Sequence, residues 1–453
     1  MKIIVAGCGK IGSSILETLV KEGHDVVAID RKNDLIGEIS NIYDVMTVCG
    51  SAADCETLAE AGVDKAELFV AVTDSDEVNM LACFFARRMG AKHTIARIRN
   101  PEYNDKNLVF MKQNLDLSFT INPELFAAQE LYRLLKLPAA VNVETFSGRN
   151  LEMVEMVLKD GSPLDGISLM DLRRKYKAKF LVSAVSRGGE VYIPDGSFVL
   201  ESGDRIGITA APNEVQKLLK MLGIVQRQAR RVMILGASTT AFYLAEMLID
   251  SGTAVTIIEK DAERCRKFSQ ELPDGALIIH GDGARQELLL EEGLGSADAF
   301  VSLTGMDEEN ILVSYFAELQ KVPKVISKIN RGELSYMAEK LGLDSIISPK
   351  KIISDVLVRY ARALQNSLGS NVESLYRLMD GNVEALEFNV RSDFKGIKIP
   401  LKDLKLKSNL LIAGITRGRK ALIPSGEDSI LPGDKVVVIV SGRRLFDLDD
   451  ILA

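Results

Sequence analysis

The chain has 453 residues, of which 47% are hydrophobic and 26% charged, and its net charge is −7. This composition is typical of a globular protein of about three domains, and it excludes a largely disordered chain, a collagen-like repeat and a coiled-coil rod. The negative charge disfavours nucleic acid as a partner, and no apolar stretch reaches the roughly 20 residues of a membrane helix. Five scattered cysteines without a C-x-x-C pair favour reduced thiols in the cytoplasm over disulfides or a zinc site. Only three histidines are present, which leaves little from which to build a metal centre or a histidine-based catalytic centre.

The first part of the chain alternates short apolar runs with segments of helical spacing. Strands are predicted at residues 3–6, 25–30, 68–72 and 94–98, and helices at residues 11–21, 52–61 and 78–89. This alternation predicts βαβ units, and right-handed crossovers make them a doubly wound parallel sheet of Rossmann type. One long helix is then predicted at 124–135, with Asn122 as its cap and Pro123 at its first position.

The next segment has a different pattern, in which short β-rich runs are separated by glycine turns. The runs lie at 151–158, 180–187, 190–193 and 205–210, with helical patches at 169–175 and 212–222. This pattern predicts a small α+β module. Residues 223–231, which include a basic run, are interpreted as a linker.

The chain then repeats itself once, at a spacing near 230 residues. Matched pairs include Gly7 with Gly236, Asp30 with Glu259, Asn79 with Asn310, Gly203-Asp204 with Gly433-Asp434, and Asn122-Pro123 with Ser348-Pro349. Two domain-sized copies exclude a solenoid and change the expected number of domains from three to four. The predicted domains are a Rossmann-like subdomain with its following helix at 1–137, a small α+β subdomain at 138–226, a second Rossmann-like subdomain with its helix at 227–367, and a second small subdomain at 368–453.

The clearest functional motif is a glycine-rich turn, Gly7-Cys8-Gly9-Lys10-Ile11-Gly12. It follows a predicted strand and opens a predicted helix, and Asp30 ends the next strand, which together form the context of a dinucleotide-binding turn. Gly7 permits the tight turn, Gly9 lets the backbone approach a pyrophosphate, and Gly12 allows the helix to pack closely on the strand. The alternative is a glycine turn kept for folding alone.

In this interpretation the phosphates lie at the helix N-terminus, where free N–H groups and the helix dipole favour anions. Asp30 is expected to accept hydrogen bonds from a ribose diol and to reject the 2′-phosphate of NADP. Cys8 is interpreted as a small residue between two glycines, with a reactive thiol as the alternative. Lys10 is expected either to reach a phosphate or to extend into water.

The matching turn of the second copy departs from this pattern and reads Gly236-Ala237-Ser238-Thr239-Thr240-Ala241. Alanine at the last position is tolerable for packing, but the Cβ atom of Ser238 is expected to obstruct a pyrophosphate. Glu259 still offers a carboxylate to a ribose. We therefore expect a weakened or altered second site, and whether it binds a nucleotide stays open.

Other candidate side chains lie at the ends of strands, where doubly wound sheets bind ligands. Thr73 and Asp74 follow one strand, and Thr304 follows the matching strand of the second copy. We expect these residues to contact a ribose or, alternatively, to cap the following helix. Ser51 lies beside the expected adenine position. Arg97 is a charged residue in an apolar strand and is interpreted as a phosphate partner, with a plain surface residue as the alternative.

These residues, together with the matched spacings Pro194…Gly203-Asp204 and Pro424…Gly433-Asp434, give the chain a family resemblance. Over nearly all its length the chain resembles the TrkA family of Trk-type potassium-uptake regulators, which consist of two tandem RCK (KTN) units. The resemblance implies an α/β fold with two Rossmann-like doubly wound parallel-sheet subdomains, each followed by a small α+β TrkA-C subdomain. It also implies that the long helices after Pro123 and Pro349 cross over and interlock the two Rossmann lobes.

The resemblance further implies a non-enzymatic regulatory subunit that binds NAD(H), with ATP or ADP as alternatives, and gates a membrane potassium channel or transporter subunit of Trk type. Such a subunit is cytoplasmic and peripheral on the inner face of the cell membrane. It forms a homo-oligomer, a dimer or a tetramer, that makes a gating ring. The changes at Ser238 and Ala241 put nucleotide binding by the second unit in doubt, but not its fold.

An NAD-dependent oxidoreductase is the alternative function. It would need an acid or base near the nicotinamide and a substrate lobe. The histidines do not recur between the copies, and the duplication leaves no segment for a substrate lobe. A bare scaffold is a third hypothesis, which the intact Gly9 and Asp30 disfavour.

Overall fold

The computed structural model describes residues 1–100, 103, 105–146, 150–176, 179–223, 229–366 and 372–453. Within these ranges the chain forms four sheets, and we name the lobes built on them N1 (residues 2–121), C1 (142–221), N2 (231–347) and C2 (372–453). The sheets of N1 and N2 are parallel, and those of C1 and C2 are antiparallel. The predicted fold class is confirmed.

N1 is a parallel sheet with helices on both faces. Its strands are β1 (Lys2–Ala6), β2 (Asp25–Asp30), β3 (Met46–Cys49), β4 (Leu68–Ala71), β5 (His93–Arg97) and β6 (Phe119–Ile121). Its helices are α1 (Lys10–Lys21), α2 (Asn33–Ile42), α3 (Cys55–Glu60), α4 (Asp76–Met89) and α5 (Asp105–Asn114). The strand order is β3-β2-β1-β4-β5-β6, so the winding reverses between β1 and β4 and leaves a crevice at their carboxyl ends.

A long helix, α6 (Pro123–Lys136), leaves N1 and leads into C1. The Asn122 side chain accepts a hydrogen bond from the Leu125 N–H at 3.0 Å, and Pro123 lies in the first turn, as the sequence predicts. C1 contains β7 (Asn142–Phe146), β8 (Leu151–Val157), α7 (Leu169–Tyr176), β9 (Phe180–Arg187), β10 (Glu190–Tyr192), β11 (Arg205–Ala210) and α8 (Pro212–Met221). Its strand order is β10-β9-β11-β8-β7.

N2 repeats the architecture of N1. Its strands are β12 (Arg231–Leu235), β13 (Ala254–Glu259), β14 (Ala276–His280), β15 (Ala299–Ser302), β16 (Lys324–Lys328) and β17 (Ile346–Ile347). Its helices are α9 (Thr239–Asp250), α10 (Ala262–Glu271), α11 (Gln286–Glu291), α12 (Asp307–Leu319) and α13 (Gly332–Lys340). The strand order β14-β13-β12-β15-β16-β17 places its crevice between β12 and β15.

The second long helix, α14 (Pro349–Asn366), leads from N2 into C2. C2 contains β18 (Val372–Leu378), β19 (Val383–Asn389), β20 (Leu410–Arg417), β21 (Lys420–Leu422) and β22 (Lys435–Ser441). Its strand order is β18-β19-β22-β20-β21.

The two long helices exchange partners between the units. The buried residues Leu131 of α6 and Leu244 of α9 belong to one core, so the helix that leaves N1 packs on N2. In the reverse direction, Leu357 of α14 shares a core with Leu16 of α1. Each unit therefore completes the core of the other.

The motifs repeated in the small lobes have a structural cause. Asp204 is fully buried, and its two carboxylate oxygens accept hydrogen bonds from the Arg187 guanidinium at 2.7 Å each. Asp434 and Arg417 repeat this pair in C2 at 2.9 and 2.8 Å. A buried carboxylate needs such a partner, which explains why Arg-Gly and Gly-Asp recur in both copies.

Two sequence expectations differ from the structure or lie outside it. Helix α3 begins at Cys55 instead of residue 52, because the Asp54 side chain accepts a hydrogen bond from the Thr57 N–H at 2.9 Å and caps the helix there. The interpretation of 223–231 as a linker rests largely on residues 224–228, which lie outside the described residues, as does the predicted boundary at 367–368.

Candidate functional site

The glycine turn that joins β1 to α1 fits closely against its surroundings at two positions and opens at the third. Gly7 has φ +101°, and a Cβ atom there would lie 2.7 Å from the backbone nitrogen of Thr73. A Cβ atom at Gly12 would lie 1.8 Å from the Gly7 carbonyl oxygen, so α1 rests directly on the turn. At Gly9 no atom lies within 4 Å of the Cβ position. Gly9 is also the N-cap of α1 and offers no side-chain acceptor, which leaves the first N–H groups of the helix to a ligand.

Asp30, at the end of β2, fixes this turn in place. Its carboxylate accepts hydrogen bonds from the Cys8 N–H at 2.7 Å and from the Lys32 N–H at 2.9 Å. An ionised carboxylate has about four acceptor sites, so capacity remains for the hydroxyls of a ribose. Asp30 thus holds the glycine turn and presents an acceptor beside it.

A buried asparagine joins the ends of two neighbouring strands. The backbone N–H and the hydroxyl of Thr73 donate to Asn79 Oδ1 at 2.8 and 2.7 Å, and the Asn79 amide nitrogen donates to the Arg97 carbonyl oxygen at 3.0 Å. The second copy repeats the arrangement with Asn310 and Thr304. Sequence reasoning did not assign Asn79 to the site, although its recurrence as Asn310 was the available signal.

Arg97 ends β5 in a nearly closed polar environment. Its guanidinium lies 3.3 Å from Glu124 Oε1, and its side chain is only 11% exposed. Burial lowers the pKa of Arg97, while the charge of Glu124 opposes that shift. Among the described residues, Arg97 Nε and Glu124 Oε2 have no hydrogen-bond partner although both are buried. Unsatisfied buried polar atoms of this kind mark a place where a polar ligand can bind.

A central cleft of about 980 Å³ is lined by Gly7, Gly9, Asp30, Thr73, Arg97 and Glu124, and N2 forms its opposite wall. The glycine turn and Asp30 stand on the N1 side. On the N2 side stand the start of α9 and the cationic residues Lys328 and Arg331, with Lys350 from the start of α14. The carboxyl ends of the two parallel sheets therefore face each other across one cleft, an arrangement that sequence reasoning did not foresee.

In the second copy, a side chain of the turn itself caps the start of the following helix. Ser238 is the N-cap of α9, and its hydroxyl accepts a hydrogen bond from the Ala241 N–H at 3.3 Å. Glu259 holds this turn as Asp30 holds the first, since it accepts from the Ala237 N–H at 2.7 Å. A separate side cleft of about 300 Å³ adjoins it. The second site thus keeps its carboxylate, but its helix N-terminus is partly satisfied already.

The predicted site residues fall into three groups by position. Those lining the central cleft are Gly7, Gly9, Lys10, Ile11, Asp30, Thr73, Asp74, Arg97, Ser238, Thr239 and Thr240. Those lining the side cleft are Gly236, Ser238, Glu259 and Thr304. Those outside both linings are Cys8, Gly12 and Ser51.

Cys8 lies in the turn but its side chain is buried behind it. The thiol donates to the Ile29 carbonyl oxygen at 3.6 Å, and burial, together with the charge of Asp30, raises the pKa of Cys8 to about 12. A thiolate is therefore disfavoured here, contrary to the alternative of a reactive thiol. The part of Cys8 that serves the site is its backbone N–H, which binds Asp30.

Among the described residues, no helix is both long enough and apolar enough to cross a membrane. No group of three or more His, Cys, Asp or Glu side chains in the same part of the chain is placed to hold a metal ion.

Fold and cleft together define a class: a duplicated Rossmann-type protein in which two units, each with a small antiparallel lobe, share one glycine-turn cleft. Family models match the same four lobes of the chain. The TrkA-N domain matches residues 3–111 and 232–349, and the TrkA-C domain matches residues 153–223 and 386–453. The chain belongs to the TrkA family of Trk system potassium uptake proteins.

Curated relatives match the whole chain. A Trk system potassium uptake protein TrkA homolog of Archaeoglobus fulgidus is 33% identical over 451 residues, which is 100% of both chains. A Trk system potassium uptake protein TrkA of Vibrio alginolyticus is 32% identical over 447 residues, 98% of this chain and 96% of the relative.

Solved structures show the same fold at low sequence identity. The GsuK RCK domain is 16% identical with a TM-score of 0.64, over 97% of this chain and 92% of that one. The GsuK channel bound to NAD gives a TM-score of 0.63 at 16% identity, over 97% of this chain and 77% of that one. GsuK bound to ADP gives a TM-score of 0.51 at 14% identity, over 81% and 69%.

Proposed function

We propose that the chain is a nucleotide-binding regulatory subunit of a Trk-type potassium uptake system. In this proposal, a nucleotide in the central cleft gates a membrane potassium channel or transporter subunit. The observation that carries it is the start of α1, which has no side-chain cap at Gly9 and lies beside Asp30 in a cleft of about 980 Å³. We propose NAD(H) as the ligand, with ATP or ADP as alternatives, because all of them combine phosphates with a ribose diol.

The relatives support this proposal through what their names state. Both full-length relatives are described as Trk system potassium uptake proteins, and GsuK has been solved with NAD and with ADP. We further propose that the chain acts as a homo-oligomer, a dimer or a tetramer that forms a ring. The ring would bind its partner on the cytoplasmic face of the membrane.

A regulator fits the cleft better than an oxidoreductase does. Two acidic groups of the lining are engaged with the protein itself. Glu124 pairs with Arg97 through one carboxylate oxygen, and Asp307 accepts hydrogen bonds from the Asn330 and Arg331 N–H groups at 3.0 Å each. The lining of the central cleft also contains no histidine among the described residues. These contacts and the lack of a histidine in the described lining support regulation over hydride-transfer chemistry, which needs an acid or base beside the nicotinamide.

The proposal is tested by calorimetric titration of the full chain with NADH, ATP and ADP, followed by potassium flux through a co-reconstituted Trk-type membrane subunit. We expect binding, a rise in melting temperature, a change in flux, and no turnover of NADH with simple carbonyl compounds. NADPH should bind more weakly than NADH, because its 2′-phosphate meets the charge of Asp30. Absence of a melting-temperature shift with every nucleotide would refute the proposal, and enzyme-like turnover of NADH would favour the oxidoreductase.

A further inference from the structure

The helix that begins at the phosphate-binding turn ends against the C2 lobe. The Arg444 guanidinium of C2 donates hydrogen bonds to the carbonyl oxygens of Lys21, at 2.6 Å, and Glu22, at 3.2 Å. Carbonyl groups in the last turn of a helix have no partner within the helix, and the negative end of its dipole attracts a cation. C2, from the far end of the chain, therefore caps the C-terminus of α1.

The side chain of Glu22 ties the same point to two more elements. It is only 4% exposed and lies 2.7 Å from the Arg362 guanidinium of α14, and it also pairs with Arg377 of β18. Arg362 in turn pairs with Glu384 of β19 at 2.9 Å. Burial would lower the pKa of Arg362, but the hydrogen bond and charge of Glu384, with the charge of Glu22, raise it instead. One buried carboxylate thus joins N1, α14 and C2 into a single charged cluster, which we call the joint.

Helix α1 connects the turn to the joint as a rigid element. Its 12 residues span about 18 Å. Leu16 and Leu19 are buried in one core with Leu357 of α14, and the hydroxyls of Ser14 and Ser354 lie 3.0 Å apart. Because packed helices move as units, a shift of the N-terminus of α1 is transmitted to its C-terminus.

The second copy is built differently at this point. The position that matches Glu22 is Ser251, an uncharged residue, and its hydroxyl donates to the Leu248 carbonyl oxygen of the same helix at 2.8 Å. At this position a charged link to a small lobe therefore occurs in the first unit, which also has the intact glycine turn, and not at Ser251 of the second unit.

We infer that the conformation of C2 changes with the nucleotide state of the first site. The change is transmitted through α1 to C2 by the contacts of Glu22 and Arg444. This inference rests on the proposed function, since it requires a nucleotide at the glycine turn. A ligand shifts a conformational equilibrium only by binding one state better than the other, and the coupling is reciprocal. The phosphates provide that difference because they bind the N–H groups of α1 itself, so a shifted α1 changes both the phosphate site and the contacts of Arg444.

Hydrogen exchange of the full chain, with and without saturating NADH, tests the inference. In the wild type we expect NADH to slow exchange in α1 and in residues 435–453 of C2, the latter by about fivefold or more, which is the lower end of common coupling strengths. In Arg444→Gln the slowing in α1 should persist and that in C2 should be lost. Arg444 is 42% exposed, so the variant should fold.

The matched control is Arg443→Gln, which removes the same charge one position earlier. There the guanidinium donates a hydrogen bond to the Ser408 hydroxyl within C2 itself, at 3.4 Å. This variant should respond to NADH as the wild type does. Glu22→Gln, which keeps the shape of the side chain, is the second variant and should also uncouple C2.

The results separate this inference from the function on which it rests. If NADH protects α1 but not C2 in the wild type, or if Arg444→Gln and Glu22→Gln both keep the C2 response, the inference is wrong while the nucleotide site stands. If the wild type shows no protection of α1 and no shift in melting temperature, the nucleotide site and the inference fail together.

Discussion

Replacing Gly9 with alanine isolates the role of the glycine turn in ligand binding. Gly9 has φ −67° and ψ −172°, an extended conformation that alanine adopts freely, and no atom lies within 4 Å of the added methyl group. The fold should therefore tolerate Gly9→Ala, with a change of less than about 0.5 kcal/mol in the free energy of unfolding.

The same methyl group enters the space in which a phosphate is expected. Gly9 lines the central cleft and immediately precedes the first N–H groups of α1. Loss of one hydrogen bond to a charged group costs about 1.5–3 kcal/mol, so the affinity for NADH should fall by about 10- to 150-fold. This change is large compared with the expected effect on stability.

Isothermal titration calorimetry with NADH, and melting temperatures without ligand, separate the two effects. Gly12→Ala is the matched control, because its Cβ atom would lie 1.8 Å from the Gly7 carbonyl oxygen. Such overpacking costs about 1–3 kcal/mol, so Gly12→Ala should lower both the melting temperature and the affinity. If Gly9→Ala binds NADH as tightly as the wild type, the phosphates do not lie at the start of α1.

Two further predictions concern the second unit. Ser238→Gly removes the hydroxyl that caps α9, at a cost of a few tenths of a kcal/mol, and should add a second nucleotide-binding step in calorimetry; an unchanged titration would show that Ser238 is not what limits that site. Lys324 is buried in β16 and donates to the Ala140 carbonyl oxygen at 2.6 Å. Burial lowers the pKa of Lys324 to about 7; Asp344 and Glu318 oppose the shift and Lys159 adds to it. The unfolded chain keeps this proton to about pH 10.4, so between about pH 7 and 10 the native state binds fewer protons. Stability should accordingly rise with pH by about 1.4 kcal/mol per unit above pH 7 in the wild type, relative to Lys324→Met. Melting temperatures of both proteins between about pH 6.5 and 9 measure the difference, and parallel curves would contradict the prediction.

Local sequence was sufficient to predict the turn and its strand. Gly7, Gly9 and Gly12 all serve a single strand–turn–helix unit, and Asp30 ends the next strand. The whole motif can therefore be recognised over a short stretch of the sequence. The cap at Asn122 was visible for the same reason. For Asn79, the sequence shows only that the residue recurs in the second copy. Its hydrogen bonds to Thr73 and Arg97 depend on strands that lie side by side only in the folded sheet.

Contacts between the units could not be derived from residue patterns. The bond of Arg362 to Glu22 joins positions 340 apart, and that of Arg444 to the same residue joins positions 422 apart. The hydrophobic periodicity of the sequence does not show which surfaces pack together when they are so far apart along the chain. The same holds for the cationic wall that N2 places opposite the glycine turn, because nothing in the sequence shows that Lys328 and Arg331 face that turn.

The exchange of α6 and α14 has a consequence for symmetry. Two identical units packed in this way would form an isologous pair, in which every residue occurs twice and every substitution changes both halves at once. Because both units belong to one chain, the turn at Gly9 and the turn at Ser238 are free to differ while the helices that exchange stay matched. Covalent fusion thus keeps the geometry of a twofold pair and allows its two halves to specialise.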